Sequence, residues 1–139
     1  MLDKKNAVQG EVISKLKSFR RCGVLMPIHS LTSDEGIGTI GKGAYRFIDF
    51  LVKSGHSVWQ MLPLNVLSYG NSPYQSLSKN ALNYYFIDLY ALEKEGLLLK
   101  SEIKSADLFG ENGRVDYGKQ FMGKTRLLRL AFSRFNKED

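Results

Sequence analysis

The sequence predicts an α/β protein built on a parallel β-α-β unit, and three observations lead to that prediction. A continuous apolar run at residues 24–28 has the length of a strand that is buried on both faces. Residues 44–53 then repeat apolar side chains at helical spacing, and Gly55 is placed to end that helix. A second strand-like run covers residues 57–62 and closes at Pro63. Two such strands joined by a helix are expected to pair in parallel through a right-handed crossover.

Further elements are predicted on either side of this unit. The segment up to residue 19 has a helical apolar stripe of Val8, Val12, Leu16 and Phe19. Residues 84–89 are compatible with a short strand, and Asp88 is placed to cap a helix at residues 90–95. A last helix is predicted at residues 117–135, and five apolar side chains are expected to face inward, namely Phe121, Leu128, Ala131, Phe132 and Phe135.

Composition narrows the class of protein. The 139 residues carry 20 Lys+Arg and 14 Asp+Glu, but the basic residues are spread along the chain and accompany no nucleic-acid recognition module. No apolar run approaches the ~20 residues of a membrane helix, and the amino-terminal residues lack the apolar core of a secretory signal. The single cysteine, Cys22, excludes an internal disulfide framework and a Cys-based zinc site. We therefore expect a soluble, cytoplasmic protein with no nucleic-acid, membrane or metal partner.

A glycine motif lies between the first strand and the first helix. Residues 36–41 read Gly-Ile-Gly-Thr-Ile-Gly, which matches the G-x-G-x-x-G pattern of dinucleotide-binding turns. In those folds the glycines follow the strand directly and a carboxylate ends the second strand. Here residues 29–35 intervene, and the second strand leads to Asn65 without a carboxylate. The sequence favours a conformational role for the glycines, with a nucleotide-binding α/β domain as the weaker alternative.

A polar aromatic loop follows the second strand. Residues 69–75 read Tyr-Gly-Asn-Ser-Pro-Tyr-Gln, at the strand end where parallel α/β proteins bind ligands. Flat aromatic faces and uncharged hydrogen-bonding groups suit a sugar, whereas a segment without Lys or Arg suits a phosphate poorly. The residues alone leave a second interpretation open, a proline-stiffened loop whose tyrosines pack against the domain.

In order and spacing, the motifs between residues 21 and 135 resemble those that open the amylomaltases, the bacterial 4-alpha-glucanotransferases of glycoside hydrolase family 77. The most specific are Trp-Gln-Met-Leu-Pro-Leu at residues 59–64 and Tyr-Gly-Asn-Ser-Pro-Tyr-Gln-Ser at residues 69–76. The other matching segments are residues 21–25, 30–31, 36–38, 41, 44–51, 83, 87–89, 95–97 and 115–117.

The resemblance implies a (β/α)8 barrel of which this chain is the amino-terminal piece. Residues 1–20 would be a helical extension, residues 21–64 the first β-α-β unit, and residues 65–139 the substrate loop with part of an inserted subdomain. The implied activity is the transfer of α-1,4-glucan segments between maltooligosaccharides through a covalent glycosyl-enzyme, without a cofactor. The implied partners are the maltooligosaccharide and the remainder of the barrel.

The resemblance also assigns substrate-binding residues to the polar aromatic loop. Tyr74 would stack on the sugar at the cleavage point, Ser72 would donate or accept a hydrogen bond nearby, and Tyr69 would belong to a glucan-contacting surface. Asn71 and Gln75 are the further candidates in the same segment.

The chain is expected to lack the catalytic carboxylates. Retaining glycosyl transfer needs two carboxyl groups at the scissile bond, and in the resembling family they come from later barrel strands. The isolated chain is therefore expected to be inactive and, as an open fragment with exposed apolar strand flanks, to self-associate. A stand-alone carbohydrate-binding module is the alternative class.

Overall fold

Two short parallel strands joined by a helix form the first part of the fold. The computed structural model describes residues 21–68 and 70–136, so the helix predicted up to residue 19 lies outside the described residues. Strands β1 (Gly23–Leu25) and β2 (Val58–Gln60) pair in parallel, and helix α1 (Lys42–Lys53) lies between them in the chain. The predicted α/β class and parallel β-α-β unit are confirmed.

Helix α1 ends as the sequence indicates. Gly55 has a φ of 76°, the left-handed conformation that favours glycine. Its N–H donates to the Val52 carbonyl at 3.1 Å, and the His56 N–H donates to the Leu51 carbonyl at 2.9 Å. This pair of hydrogen bonds is a Schellman motif, which satisfies carbonyls that the helix leaves unpaired.

The two strands are covered on one face by α1. Trp59 of β2 packs edge-on against Phe47 of α1, with ring centroids 5.0 Å apart, and its Nε1 donates to the Met26 carbonyl at 2.7 Å. Leu25 and Val58 remain 54% and 38% exposed. The prediction of a first strand buried on both faces is therefore wrong for the described chain, because no described element covers the opposite face.

The connection after β2 has no regular helix or strand until residue 84. There the predicted short strand is wrong: Tyr84–Phe86 is a 3-10 turn, started by the Asn83 side chain, whose Oδ1 accepts the Tyr85 N–H at 3.0 Å. Asp88 then caps helix α2 (Leu89–Lys94) as predicted, since its Oδ1 accepts the Ala91 N–H at 2.9 Å. Helix α3 (Lys100–Ser105) and a single turn at Glu111–Gly113 follow.

The last helical segment consists of α4 (Tyr117–Lys119), a π-helical turn (Gln120–Lys124) and α5 (Thr125–Phe135). Of the five side chains predicted to face inward, Ala131 is buried and Leu128 is partly buried. The prediction is wrong for the three phenylalanines, which are more than half exposed: Phe121, Phe132 and Phe135. The buried stripe instead runs one position earlier in the π turn and the first turn of α5, through Gln120, Lys124 and Leu127.

Two apolar clusters hold the fold together. The first joins the β-α-β unit to the 3-10 turn and contains Ile28, Leu31, Ile37, Ala44, Tyr85 and Phe86. The second packs α2, α3 and α5 together and contains Leu89, Leu98, Ile103, Ala106, Leu108, Leu127 and Ala131. Among the described residues, no helix has the length and apolar character needed to cross a bilayer.

Candidate functional site

Residues 70–75 of the polar aromatic loop lie at the tip of a narrow antiparallel hairpin that begins and ends beside the carboxyl end of β2. At its base, the Asn83 N–H donates to the Leu64 carbonyl at 2.8 Å, and Asn65 forms a β-bridge with Leu82. Further out, a second bridge pairs Leu67 with Ser76. These contacts place the base of the loop at the carboxyl end of β2, and Asn71 and Pro73 of its outer end line a cavity together with Pro63, which follows β2.

A tight turn at the outer end brings four of the predicted site residues together. The backbone adopts positive φ at Gly70 (84°) and Asn71 (56°), conformations that glycine and asparagine tolerate best. The Gln75 N–H donates to the Ser72 carbonyl at 3.1 Å, and the Tyr74 N–H donates to the Ser72 Oγ at 3.4 Å. Tyr69 lies outside the described residues.

The turn offers an aromatic ring and neutral polar groups to a ligand. Tyr74 is 75% exposed, so its ring faces are free for stacking. Ser72 is half-buried, whereas Asn71 and Gln75 are exposed. Residues 70–76 contain no charged side chain. Such a surface suits a ligand with an apolar face and uncharged hydroxyl groups.

A small cavity of about 10 Å³ lies beneath the turn, between Asn71 and Pro73 above and the fold below. Its volume is close to that of one water molecule. Asn83 lines it and is buried, and its Nδ2 has no hydrogen-bond partner within the described part of the chain. His29 and Tyr117 also line it; burial lowers the pKa of His29 and raises the pKa of Tyr117, so both are uncharged at neutral pH.

The glycine motif serves close packing within the chain. A Cβ at Gly36 would collide with the Leu108 backbone, and one at Gly38 would collide with the Ile28 carbonyl. The Asp88 side chain occupies the position that a Cβ at Gly41 would need. These glycines therefore let the loop approach its neighbours, which is the conformational role that the sequence favours.

A buried ion pair between Glu35 and Lys124 escaped the sequence analysis. The Lys124 Nζ lies 2.8 Å from the Glu35 Oε2, and their side chains are 0% and 1% exposed. The Lys124 Nζ also donates to the Tyr85 carbonyl at 2.8 Å, and the Glu35 Oε1 accepts the Leu89 N–H at 2.9 Å. Desolvation raises the pKa of Glu35 and lowers the pKa of Lys124. The only sequence signal is that Gln120, Lys124 and Leu127 share one helical face.

The other described carboxylates that make side-chain contacts have structural partners. Asp88 caps α2 and accepts the Thr39 hydroxyl at 2.9 Å. Glu102 is held by Arg134 through contacts of 2.6 and 2.9 Å, which lower its pKa to about 2. Among residues 21–68 and 70–136, no group of three or more His, Cys, Asp or Glu side chains is arranged to hold a metal ion.

The chain belongs to the 4-alpha-glucanotransferase family. The profile of the glycoside hydrolase 77 family, described as 4-alpha-glucanotransferase, matches residues 26–139. The chain is 47% identical to a 4-alpha-glucanotransferase of Streptococcus pneumoniae over 116 residues, which are 84% of this chain and 23% of that protein. It is 48% identical to one of Clostridium butyricum over 115 residues, which are 82% of this chain and 23% of that protein.

A solved structure agrees with these relatives. The fold is similar to that of the amylomaltase from Streptococcus agalactiae in complex with acarbose, with a TM-score of 0.81 and 42% sequence identity. The superposition covers 86% of this chain and 24% of that one. The chain thus spans about a quarter of the length of the relatives that it matches.

Proposed function

We propose that the chain is the amino-terminal part of a cytoplasmic 4-alpha-glucanotransferase, which transfers α-1,4-glucan segments between maltooligosaccharides with retention of configuration. The observation that carries this proposal is the family match over residues 26–139, combined with an uncharged aromatic turn at the carboxyl edge of the strand pair. A solved relative at 42% identity, the amylomaltase from Streptococcus agalactiae, is in complex with acarbose. The partners would be a maltooligosaccharide and the remainder of the catalytic domain.

The β-α-β unit would be the first part of a (β/α)8 barrel. A whole barrel takes about 250 residues, and residues 21–64 supply two strands and one helix. Leu25 and Val58 are partly exposed on strands that further barrel elements would cover. Residues 65–139 would then form the substrate loop and part of an inserted subdomain, with residues 1–20 as an amino-terminal extension.

Tyr74 and Ser72 would carry the substrate contacts of this part. The exposed Tyr74 ring would stack on a glucosyl ring, and the Ser72 hydroxyl would hydrogen-bond to the same sugar. Asn71 and Gln75 would contact the sugar from the same turn, and Tyr69 would extend the surface. The catalytic carboxylates would come from outside this chain, as the family resemblance implies, and Glu35, Asp88 and Glu102 would serve the structural contacts described above.

Binding of maltoheptaose to the chain tests the assignment of the turn. The amide signals of residues 70–76 should shift when maltoheptaose is titrated against the nitrogen-15-labelled chain. Tyr74→Ala should abolish these shifts, whereas Tyr45→Ala should preserve them. Tyr45 is a matched control, because it is 67% exposed against 75% for Tyr74 and lies on α1. Equal shifts in the two variants would contradict the stacking role of Tyr74.

Complementation separates an enzyme part from a stand-alone binding module. The chain is co-expressed with the remaining three quarters of the Streptococcus agalactiae amylomaltase, and the mixture is supplied with maltotriose. Formation of glucose and longer oligosaccharides by the pair, and by neither part alone, supports the transferase assignment. Glucan binding without complementation would favour the binding module.

A further inference from the structure

A larger cavity of about 530 Å³ opens beside the polar aromatic loop. One wall is the segment that follows β1, where residues 29–33 line the cavity together with Gly36 and Ile37. The other wall is formed by residues 109–110 and 113–115, which precede α4. The volume falls within the roughly 300–1,000 Å³ that is typical of small-molecule sites.

Buried polar contacts hold the two walls together. The Gln120 Nε2 donates to the Leu108 carbonyl at 2.8 Å and to the Glu35 carbonyl, so one amide bridges the ends of both walls. Gln120 is fully buried, and the Glu35 side chain is fixed by its ion pair with Lys124. The two walls are therefore joined by contacts within the chain, and such preorganisation reduces the ordering cost of binding.

The lining offers many neutral polar groups and a single formal charge. Hydroxyl groups come from Ser30, Thr32 and Ser33, and the His29 imidazole is uncharged at neutral pH because burial lowers its pKa. Three glycines also belong to the lining, namely Gly36, Gly110 and Gly113. Arg114 is the one charged residue of the lining.

Phe109 adds an aromatic surface at the same cavity. Its side chain is 54% exposed, although the phenylalanine ring has no polar group that could form a hydrogen bond with water. An aromatic face beside hydroxyls and a neutral imidazole matches the two sides of a sugar ring, which has apolar C–H faces and a polar rim. A phosphate would find one exposed guanidinium here, whereas phosphate sites gather several cationic or N–H donors.

The cavity adjoins the turn that carries Tyr74. His29 and Ile37 line both this cavity and the small cavity beneath Asn71 and Pro73. A ligand held at the turn and a ligand held in the larger cavity would therefore be neighbours, separated by these two shared side chains.

We propose that this cavity is a second sugar-binding site, which takes glucosyl units of a maltooligosaccharide between Phe109 and the hydroxyl-rich segment after β1. The site rests on the proposed function, because the ligand class is that of the transferase substrate. Phe109 stacks on one glucosyl ring, and Arg114 and the hydroxyls of residues 30–33 hydrogen-bond to its rim. This second site gives the chain a contact with a glucan in addition to the contact at Tyr74.

The test is a titration of the nitrogen-15-labelled chain with maltoheptaose, in which two groups of amide signals are followed separately. The first group is Gly36, Gly110 and Gly113 in the cavity, and the second is residues 70–76. Both groups are expected to shift, and Phe109→Ala is expected to weaken the response of the first group at least threefold. Arg114→Gln is a second variant with the same expected direction. Phe50→Ala is the matched control, because Phe50 is also 54% exposed and lies on α1.

The outcomes separate this inference from the proposed function. Shifts of the cavity glycines that Phe109→Ala or Arg114→Gln weakens and Phe50→Ala preserves support the second site, whether or not residues 70–76 respond. If the cavity signals shift and those of residues 70–76 do not, the second site stands and the proposed turn contact fails. Shifts confined to residues 70–76 overturn the second site and leave the proposed function intact. Cavity shifts that both variants leave unchanged, or no shifts in either group, also overturn the second site.

Discussion

Replacing Lys124 by methionine removes one half of a fully buried ion pair and provides a direct test of what holds this fold together. Methionine is similar in length and apolar, so the change creates little empty space. It leaves the Glu35 carboxylate with the Leu89 N–H as its remaining hydrogen-bond donor and leaves the Tyr85 carbonyl without its donor. Glu35 and Tyr85 are both buried, so the bulk solvent is not in contact with the groups that lose their partner.

The expected loss of stability is large. Removing one partner of a buried ion pair costs about 3–5 kcal/mol, because the remaining charge is left uncompensated. With a urea dependence of about 1.5 kcal/mol per M, this loss lowers the unfolding midpoint by about 2–3 M. Lys119→Met is the matched control: Lys119 pairs with Asp107 at 2.9 Å, but their side chains are 37% and 75% exposed, so its effect should be much smaller.

Urea unfolding followed by circular dichroism measures these differences for Lys124→Met, Glu35→Met and the double variant. The double variant should cost less than the sum of the two single variants, because it leaves no unpaired buried charge. Additive losses, or a Lys124→Met variant no less stable than Lys119→Met, would show that the pair contributes little.

The pH dependence of the Lys124→Met variant gives an independent check. Burial already raises the pKa of Glu35, and loss of Lys124 removes the attraction that opposes this rise. A carboxyl group with a folded-state pKa above its unfolded value of about 4.3 binds its proton more tightly in the folded state. The deficit of the variant relative to the parent should therefore be smallest below about pH 4.3 and should grow as the pH rises through the folded-state pKa.

Four further predictions concern other parts of the chain. Because the pKa of Glu102 is about 2 in the folded state, the parent should lose stability as the pH falls from about 4.3 towards 2, and Glu102→Gln should not show that loss in urea melts. Gly55→Ala should cost about 1–2 kcal/mol, because only its positive φ is unfavourable. Gly36→Ala should cost about 1–3 kcal/mol more than Gly55→Ala in the same urea assay, because the added Cβ also collides with the Leu108 backbone. The isolated chain should release no glucose from maltotriose; product formation that Asp88→Asn abolishes would refute the assignment of the catalytic carboxylates to other parts of the enzyme.

The parts of the fold that local signals determine were predictable from the sequence. Gly55 ends α1 because a left-handed residue is needed there, and Asp88 starts α2 because its carboxylate accepts a free N–H of the first turn. The parallel pairing of β1 and β2 follows from two strand-like runs separated by one amphipathic helix. The residues that determine the two helix ends lie within a few positions of those ends, and the pairing follows from the order of the three elements along the chain.

The parts that depend on distant partners were not predictable in the same way. Residues 84–89 have the composition of a strand, but they start with a 3-10 turn, whose Tyr85 carbonyl accepts the Lys124 Nζ from 39 positions away. The apolar stripe at residues 121–135 suggests an inward face, whereas the π turn shifts the register and the face with Lys124 is buried. Lys124 meets Glu35 from 89 positions away, and a periodicity argument does not detect such a pair.

The candidate site also has one part that local sequence determines and one part that depends on distant residues. The uncharged aromatic character of residues 69–75 is a local property, and it was read from the sequence. The larger cavity depends on residues 29–37 and 109–115, which are far apart in the chain and meet only in the folded structure. Its lining therefore forms no motif in the sequence, and no local pattern marks Phe109 or Arg114.

The buried ion pair connects the stability of the fold to both proposed sugar contacts. Through the Tyr85 carbonyl, Lys124 holds the 3-10 turn that follows Asn83, the residue that closes the base of the polar aromatic loop. Glu35 is also the residue whose carbonyl accepts the Gln120 amide that joins the walls of the larger cavity. Weakening the ion pair should therefore loosen both the polar aromatic loop and the larger cavity. Tyr74→Ala should affect only sugar binding at the loop, and Phe109→Ala should affect only sugar binding in the cavity.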